Sequence, residues 1–363
     1  MSRAKREPTL PQGDDRSGPV GALSPQVARF PSTRFMGSKE TLLPSLWEAI
    51  GAFGPRSVLD LCSGSGVVAY MLKAQGCRVV ANDYMRMATV IAEATVANSG
   101  EMLSEAEIGA IAGAPPAKGF IAETYGELYY GHEDVAFLDG ARQALRALAG
   151  FKRAIATAAL VRACIKRRPR GIFTYTGHRY DDGRRDLKLT LRQHFADAAR
   201  QINAAVFDNG EHCAVSNVDL SNGWPEADID LVYLDPPYFS PLSDNEYVRR
   251  YHFPEALARD WQGVEIQHET RTRKIRNFPS PFRSEIGCLK AIGEMLEIYR
   301  DSAVAISSST NALPDAGTMM KLLRRHGRRP RMIEIDHRYS FANQAAARSP
   351  VRNKVKELVF VSE

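Results

Sequence analysis

The chain of 363 residues has no apolar run near the roughly 18 residues that a membrane-spanning helix needs. Its first residues, MSRAKREPTLPQGDDRSGPV, include no apolar segment of the kind that a signal peptide contains. Proline, glycine and charged residues dominate there instead, so we expect residues 1–29 to form a disordered tail. These features predict a cytoplasmic protein with no membrane partner.

Cysteine is scarce, and its five residues are far apart in the chain: Cys62, Cys77, Cys164, Cys213 and Cys288. There is no Cys-x-x-Cys pair, and no histidine stands at the spacing of a zinc ligand. We therefore expect a reducing compartment and no metal site.

What the chain does contain is an alternation of strands and helices. SVLDLC (57–62) predicts a strand, SGSG (63–66) a tight turn into a helix, and RVVAND (78–83) a second strand. This order is typical of a doubly wound α/β sheet. Five further strands are predicted at 213–219, 229–235, 303–309, 331–340 and 355–363, the last two as an antiparallel pair. Helices are predicted at 85–98, 139–166, 186–206, 284–301 and 315–327.

The region between the second and third predicted strands is too long for a simple crossover. It is Ala-rich and contains the basic stretch KRRPRGIFTYTGHRYDDGRR (166–185). We therefore predict an inserted, mostly helical subdomain at 96–209. It separates the first part of the sheet domain, at 30–95, from the second, at 210–363.

The turn after the first strand has the composition of a cofactor-binding loop. Glycines directly after a strand let the backbone approach a ligand at the N-terminus of the next helix. A dinucleotide loop would need a third glycine, but Gly64-x-Gly66 continues with apolar residues. Asp60, just before the loop, would repel a pyrophosphate and attract the ammonium of an amino-acid group. S-adenosylmethionine carries that ammonium, and we predict that it binds Asp60, Cys62, Ser63, Gly64, Ser65 and Gly66.

Two further acids end neighbouring strands. Asp83, at the end of the second strand, is placed to accept the two ribose hydroxyls of the cofactor. Asp219, at the end of the third, is placed to reach the adenine amine. Each also fits a simpler role as a helix cap or turn residue, and the sequence leaves both roles open.

The stretch LVYLDPPYFS (231–240) ends an apolar strand with an acid, two prolines and a tyrosine. Asp235 offers a charge-assisted acceptor to an exocyclic amine, and the Pro236 carbonyl offers a second, since Pro236 and Pro237 carry no competing N–H. Tyr238 provides a face on which a flipped base can stack. We predict that these four residues hold an aromatic amine for methyl transfer.

Positive charge is concentrated in two stretches. Residues 162–200 hold eleven Lys or Arg against four acids, and RTRKIRNFPSPFR (271–283) holds five against none. Such clusters favour a phosphate backbone as partner, although a solvated surface has the same composition. The predicted contacts are Lys166, Arg167, Arg168, Arg170, Tyr175 and Arg179 in the first stretch, and Arg271, Arg273, Lys274 and Arg276 in the second. The second stretch also suits a lid, with Tyr247 and Tyr251 at the entrance of the site.

The glycine loop and the Asp-Pro-Pro-Tyr motif resemble those of amino-group DNA methyltransferases of the N6-adenine type. RFMGSKETLLPSL (34–46) is similar to an element that precedes the loop in the Dam-like alpha group. That resemblance implies that Phe35 and Lys39 lie against S-adenosylmethionine. RNKVKELVFV (352–361), with His337 and Tyr339, is similar to the last hairpin of these enzymes. Cys62 departs from the pattern, since a bulky Phe is usual there.

The resemblance implies a Rossmann-like, seven-stranded S-adenosylmethionine-dependent methyltransferase fold with an inserted, mostly helical target-recognition subdomain. The implied activity is site-specific methyl transfer to the N6 amine of a flipped-out adenine in double-stranded DNA. A cytoplasmic, nucleoid-associated protein of prokaryotic or phage type is expected with it. So are a cognate restriction endonuclease as partner and a monomeric or weakly dimeric state.

Other functions stay open at this point. An RNA base methyltransferase can end the same strand in a similar motif, and N4-cytosine methylation uses related chemistry. A catalytically silent DNA-binding scaffold could keep the same fold. C5-cytosine methylation is excluded, because its cysteine nucleophile usually follows a proline and none of the five cysteines does.

Overall fold

The computed structural model describes residues 22–177, 183–225, 228–240, 246–335 and 355–363. Its centre is one seven-stranded sheet in the order β3-β2-β1-β4-β5-β7-β6. The strands are β1 Ser57–Asp60, β2 Arg78–Asn82, β3 Ala214–Ser216, β4 Leu231–Leu234, β5 Ala303–Ser309, β6 Arg331–Ile335 and β7 Glu357–Ser362. All seven predicted strands are thus present, and the α/β fold of a Rossmann-like methyltransferase is confirmed.

The strand pairing explains where a ligand can enter. The first five strands in sheet order are parallel, whereas β7 is antiparallel to both neighbours, as predicted for the last pair. From β1 the chain runs outward through β2 to β3, then returns across β1 to β4. At such a switch point the loops at the carboxyl ends of two adjacent strands separate and leave a crevice. β1 and β4, which flank it, are buried along their whole length.

Eleven α-helices lie within the described residues. They are α1 Leu43–Gly51, α2 Val67–Ala74, α3 Arg86–Ala92, α4 Glu105–Ala112, α5 Phe120–Tyr125, α6 His132–Leu145, α7 Gly150–Arg167, α8 Leu191–Ala205, α9 Tyr247–Ala258, α10 Glu285–Ile298 and α11 Ala316–Arg325. A π-helical turn, Glu93–Ala97, extends α3. The helix predicted at 139–166 is in fact two helices, α6 and α7. Helices α1 and α9 were not predicted, and α4 and α5 were expected only as part of the mostly helical region 96–209.

α9 was missed for a physical reason. Its sequence, YVRRYHFPEALA, contains Pro254, and Tyr251 has non-helical dihedrals (φ −115°, ψ 21°) at a kink. Proline inside a helix removes a backbone hydrogen bond and usually signals a break. Glu255 holds the kinked helix against α3. Its carboxylate accepts the N–H groups of Arg86 and Met87 at the start of α3.

The helical part between β2 and β3 is built around α7, which packs on α8, α3 and α9. One hydrophobic cluster joins these helices, and it includes residues of 85–94 and 248–275 outside the predicted insertion. Capping boxes begin α4, at Ser104 with Glu107, and α8, at Thr190 with Gln193. The bounds 96–209 for a separate subdomain remain a prediction.

The N-terminal tail was predicted too long. Pro25–Arg29 form a 3-10 helix capped by Ser24, whose N–H donates to Gln75 Oε1 at 2.7 Å. Gln26 Nε2 donates to the buried Tyr70 hydroxyl at 2.8 Å. These contacts hold the segment against α2, and the rest of the predicted tail, 1–21, lies outside the described residues.

Within the described residues, every helix is too short or too polar to cross a bilayer. The same part of the chain holds no group of three or more His, Cys, Asp or Glu side chains placed for a metal ion.

Candidate active site

A cavity of about 800 Å³, measured to its open mouth, lies at the carboxyl ends of β1, β2 and β4. It gathers side chains from distant parts of the sequence at the crevice that the strand order creates. The predicted residues that line it are Phe35, Lys39, Asp60, Cys62, Ser63, Gly64, Ser65, Asp83, Asp219, Asp235 and Pro237. Gly66, Pro236 and Tyr238 are outside this lining, and Tyr238 lines a neighbouring cavity instead.

The glycine loop has the backbone that its sequence predicts. Gly64 and Gly66 have φ of +53° and +80°, values that side chains with a Cβ rarely adopt. A Cβ on Gly64 would also stand 3.1 Å from the Phe35 ring. Gly66 is the N-cap of α2, so the loop leads directly into the helix, whose first residues Val67 and Val68 line the cavity.

Asp60 is the most unusual group in the cavity. It is completely buried, and neither carboxylate oxygen has a hydrogen-bond partner among the described residues. The pKa of Asp60 is raised to about 8, mainly by burial and to a smaller extent by the charges of Asp235 and Asp83, against the opposing effect of the nearby Ser63 hydroxyl. Buried polar groups are normally paired, so an unpaired carboxyl facing a cavity indicates a site for a hydrogen-bond donor or cation.

Asp83 has partners within the protein. Its Oδ2 accepts the Gly64 N–H at 2.9 Å and its Oδ1 accepts the Met85 N–H at 2.8 Å. Burial raises the pKa of Asp83 to about 7, against the effect of these N–H groups. Asp83 therefore holds the glycine loop and the start of α3 in place. Its contact with a ribose stays a prediction.

Asp219 also lines the cavity and at the same time forms a local turn, since its Oδ1 accepts the Ser221 N–H at 2.9 Å. Both interpretations of this residue from the sequence are thus compatible with its position. Contact with an adenine amine stays a prediction.

Phe35 is held by two tyrosines of α9. Its ring stacks on Tyr251 at 5.2 Å and 8°, and on Tyr247 at 5.6 Å and 30°. The Met36 N–H donates to the Tyr251 hydroxyl at 2.8 Å, and the Tyr247 hydroxyl donates to the Met36 carbonyl at 3.0 Å. Tyr247 lines the cavity, whereas Tyr251 is buried behind Phe35 rather than at the entrance.

Cys62 contributes a small side chain where the resemblance implied an aromatic ring. Burial raises the pKa of its thiol well above the ordinary value, so the group stays neutral. The aromatic residues that line the cavity are Phe35, Tyr84, Tyr233, Tyr247 and Phe282.

Lys39 lines the cavity, as its predicted role requires, and it also contacts the Asp-Pro-Pro-Tyr motif directly; its contact with S-adenosylmethionine stays a prediction. Its ammonium is 2.8 Å from Asp235 Oδ1 and 3.2 Å from Glu357 Oε1. Burial lowers the pKa of Lys39, but the two carboxylates outweigh burial and raise it above the ordinary value. Asp235 Oδ1 also accepts the Tyr238 hydroxyl at 3.0 Å.

Glu357 was not predicted as a site residue. It is completely buried at the start of β7, and its Oε1 accepts the Tyr238 hydroxyl as well as contacting Lys39. A signal was present in the sequence: Glu357 is an acid at the head of the apolar run LVFV. Buried acids are almost always paired, which makes such a residue a candidate for a polar site.

A second, smaller cavity of about 570 Å³ adjoins the first and shares Pro237, Tyr84 and Tyr247 with it. Aromatic rings line it, including those of Tyr238 and Phe239. Its polar edge is the ion pair of Arg283 Nε with Glu246 Oε1, at 2.9 Å. Pro279, Ser280, Pro281 and Phe282, from the predicted lid stretch, line the first cavity.

The structure corrects the first group of predicted DNA contacts at Arg168. This side chain is completely buried and donates to backbone carbonyls, including those of Gly177 at 2.6 Å and Tyr175. Its guanidinium also lies 4.4 Å from the Tyr175 ring centroid. Arg168 therefore stabilises the fold and cannot reach a phosphate without unfolding this region.

The neighbours of Arg168 differ in exposure. Arg167 is half-buried and pairs with Asp134 at 3.1 Å, and Tyr175 donates its hydroxyl to the Pro169 carbonyl at 2.6 Å. Arg170 is exposed and Lys166 is partly exposed, so DNA contacts by these two stay predictions. Arg179 lies outside the described residues, as do His178, Tyr180, His337 and Tyr339.

The second basic stretch begins in a hairpin. Ile266 and Ile275 form an antiparallel bridge, and Gln267 N–H donates to the Lys274 carbonyl at 2.8 Å. The turn carries Arg271, Arg273 and Lys274, all at least partly exposed, whereas Arg276 pairs with Glu265 at 2.7 Å. The Tyr129 hydroxyl donates to the Thr272 carbonyl and fastens the turn to the helical part.

Comparison with known proteins decides the family. Residues 35–260 match the model of the D12 class N6 adenine-specific DNA methyltransferases. The chain belongs to this family. It is also 25% identical over 350 residues to the type II methyltransferase M2.HphI of Haemophilus parahaemolyticus, across 92% of this chain and 98% of that protein.

As a D12 class methyltransferase, the protein is an enzyme that methylates adenine in DNA, as the motifs predicted. The match includes the Phe35 and Lys39 element, the glycine loop and Asp-Pro-Pro-Tyr in one unit. It favours adenine methylation over the RNA, N4-cytosine and silent-scaffold alternatives.

Proposed function

We propose that this enzyme transfers the methyl group of S-adenosylmethionine to the N6 amine of an adenine flipped out of duplex DNA. The observation that carries the proposal is the position of Asp235. Its side chain lines the large acid-lined cavity, and Pro237, two residues further on, lines both this cavity and the smaller aromatic one. A methyl donor in the first cavity and a base in the second would meet at Asp235.

The residues of the large cavity fit S-adenosylmethionine. Asp60 offers an unpaired, buried carboxyl for the ammonium of the methionine group, and that contact would offset the cost of its burial. Gly64 leaves room beside the Phe35 ring that any Cβ would restrict. When bound, the cofactor would supply an activated methyl group on a positively charged sulfur. Acids around the cavity favour that charge.

Asp235 is oriented to accept a hydrogen bond from the target amine. Lys39 and Tyr238 both contact Oδ1, and Oδ2 has no hydrogen-bond partner among the described residues. An N–H donated to this second oxygen would hold the amine and increase its nucleophilicity. The Pro236 carbonyl, free of a competing amide N–H on its own residue, is proposed as the second acceptor.

The small cavity suits an extruded base. Base flipping requires a pocket lined by aromatic faces that replace stacking in the duplex. Tyr238, Phe239 and Tyr84 provide such faces beside Asp235. We assign base stacking to Tyr238, in agreement with its interpretation from the sequence.

Duplex DNA is proposed to contact the exposed turn with Arg271, Arg273 and Lys274. These cations have no ion-pair partner among the described residues, so they are available to phosphates. The similarity to a type II methyltransferase supports a role beside a cognate restriction endonuclease. A cytoplasmic location and a monomeric or weakly dimeric state are proposed with it.

The decisive experiment measures tritium transfer from labelled S-adenosylmethionine to duplex DNA and to ribosomal RNA, followed by nucleoside analysis. We expect N6-methyladenine in the DNA alone. Asp235→Ala should slow the transfer by about a hundredfold or more, and Asp301→Ala, which removes an exposed acid before β5, should not. Labelled RNA, labelled cytosine, or full activity of Asp235→Ala would each reject the proposal.

A further inference from the structure

Glu357 is the one completely buried acid in contact with both Lys39 and Tyr238 among the described residues. It lies at the first residue of β7, opposite Ser309 of β5, and comes from the far end of the chain. Its Oε1 contacts the Lys39 ammonium at 3.2 Å and accepts the Tyr238 hydroxyl. Neither the glycine loop nor the Asp-Pro-Pro-Tyr motif accounts for it.

The Lys39 ammonium is shared between two acids. Its three protons face three acceptors: Asp235 Oδ1 at 2.8 Å, Glu357 Oε1 at 3.2 Å and the Gly37 carbonyl at 3.3 Å. One cation thus faces two carboxylates. Without Glu357, the Lys39 ammonium would face one carboxylate, that of Asp235, and would neutralise more of its charge.

Tyr238 is held at its polar end by the same pair of acids. Its hydroxyl is 3.0 Å from Asp235 Oδ1 and also donates to Glu357, although a phenol has one proton to give. The Lys39 ammonium lies 4.9 Å from the centre of its ring. Glu357 therefore restrains the hydroxyl end of the ring that we assign to base stacking.

We propose that Glu357 is a positioning residue for methyl transfer, which balances the charge of Lys39 and anchors Tyr238 so that Asp235 keeps a strong acceptor oxygen for the target amine. This inference rests on the proposed function. In the reaction, the amine lone pair forms the new N–C bond as the C–S bond breaks and its electron pair stays on sulfur. The proton released from the methylated nitrogen passes to Asp235.

The charges around Asp235 allow a specific test. The titratable groups that face it are Lys39, Glu357, Tyr238, Tyr233, Asp60, Cys62 and Tyr247. Burial raises the pKa of Asp235, Lys39 lowers it and Glu357 raises it. Removing the charge of Glu357 should therefore lower the pKa of Asp235 and make it a weaker acceptor.

The experiment compares Glu357→Gln with the wild-type enzyme in full kinetics across pH. We expect kcat to fall about tenfold to a hundredfold, the range seen when groups that orient a ligating residue are removed. The acidic limb of the kcat profile should move to lower pH, because the charge of Glu357 raises the pKa of Asp235. The Kd for S-adenosylmethionine and the KM for DNA should stay within about twofold, as expected for a group that acts in the chemical step.

Two further variants keep the test conclusive. Glu334→Gln makes the same change on β6, at an exposed residue paired with Lys356, and should leave kcat and its pH profile unchanged. In a Lys39→Met background, Glu357→Gln should have much less effect on kcat, because its main partner is gone.

An unchanged kcat in Glu357→Gln, or a fall with no movement of the acidic limb, would overturn this inference alone. A wild-type enzyme that methylates no adenine would instead reject the proposed function. Melting curves for each variant distinguish a loss of fold from a loss of positioning.

Discussion

Buried charges in this enzyme are of two kinds, and they occupy two regions. In the sheet cavity, Asp60 has no hydrogen-bond partner among the described residues, and Asp235 keeps one oxygen free. In the helical part, the buried Arg168 donates to several backbone carbonyls. Burial alone therefore does not indicate function. A buried charge whose partners are missing indicates a ligand, and one whose partners are present indicates a structural role.

The largest effect should come from Asp235→Ala at the reacting centre. We expect kcat to fall by about 10²- to 10⁴-fold, the usual contribution of a positioned proton acceptor. Binding of S-adenosylmethionine, measured by calorimetry, should change little, because Asp60 and the glycine loop are retained. A matching loss of cofactor affinity would show that Asp235 mainly shapes the cavity.

Arg168→Met should instead destabilise the fold. Several buried carbonyls would lose their donor, each at a cost of about 1 kcal/mol or more, so we expect a total loss of about 3 kcal/mol. Urea unfolding measures it, with Arg170→Met as the exposed control from the same segment. Weaker DNA binding by a fully stable Arg168→Met protein would restore the DNA contact that its basic neighbourhood predicts.

Asp60→Asn should stabilise the fold, whereas Arg168→Met should destabilise it. Because burial raises the folded pKa of Asp60 to about 8, above the ordinary 3.8, the folded state binds the extra proton between these values. Stability from this group is complete below about pH 4 and is lost as pH rises toward 8. The substitution should thus raise the free energy of unfolding at pH 8 by about 1 kcal/mol or more.

The same substitution should weaken cofactor binding. An uncharged amide cannot balance an ammonium, so we expect the Kd for S-adenosylmethionine to rise by about tenfold or more. Calorimetry on the variant measures it at the pH of the unfolding experiment. Lower stability together with unchanged affinity would place Asp60 among the structural charges.

The sheet and most of the cavity could be predicted from sequence because their signals are local. Apolar strands such as 231–234 end in acids, and parallel strands bring those ends to one edge. The role of Arg168 could not be predicted, because its carbonyl partners at Tyr129 and Gly177 depend on the tertiary fold. Glu357 was missed for the same reason, since Lys39 and Asp235 reach it only across the folded sheet.

The smallest effect is expected on the surface, at the turn of the hairpin. Replacing Arg271 and Arg273 by Ala should weaken DNA binding and lower the slope of log K against log salt by about 0.9 for each phosphate that is no longer neutralised. Arg276→Ala is the matched control, because that side chain already pairs with Glu265. Affinity for S-adenosylmethionine should not change in either protein.

The exposed cations in the turn differ from Arg168, because their N–H groups remain available to a partner outside the chain. If the slope of log K against log salt is unchanged while the free energy of unfolding falls, the cations of the turn have a structural role, as Arg168 does. If the slope falls and stability is unchanged, a charge without a partner in the protein indicates a ligand at the surface as well as in the interior. The hairpin then contacts DNA, because cations without a partner in the protein find one in the phosphates.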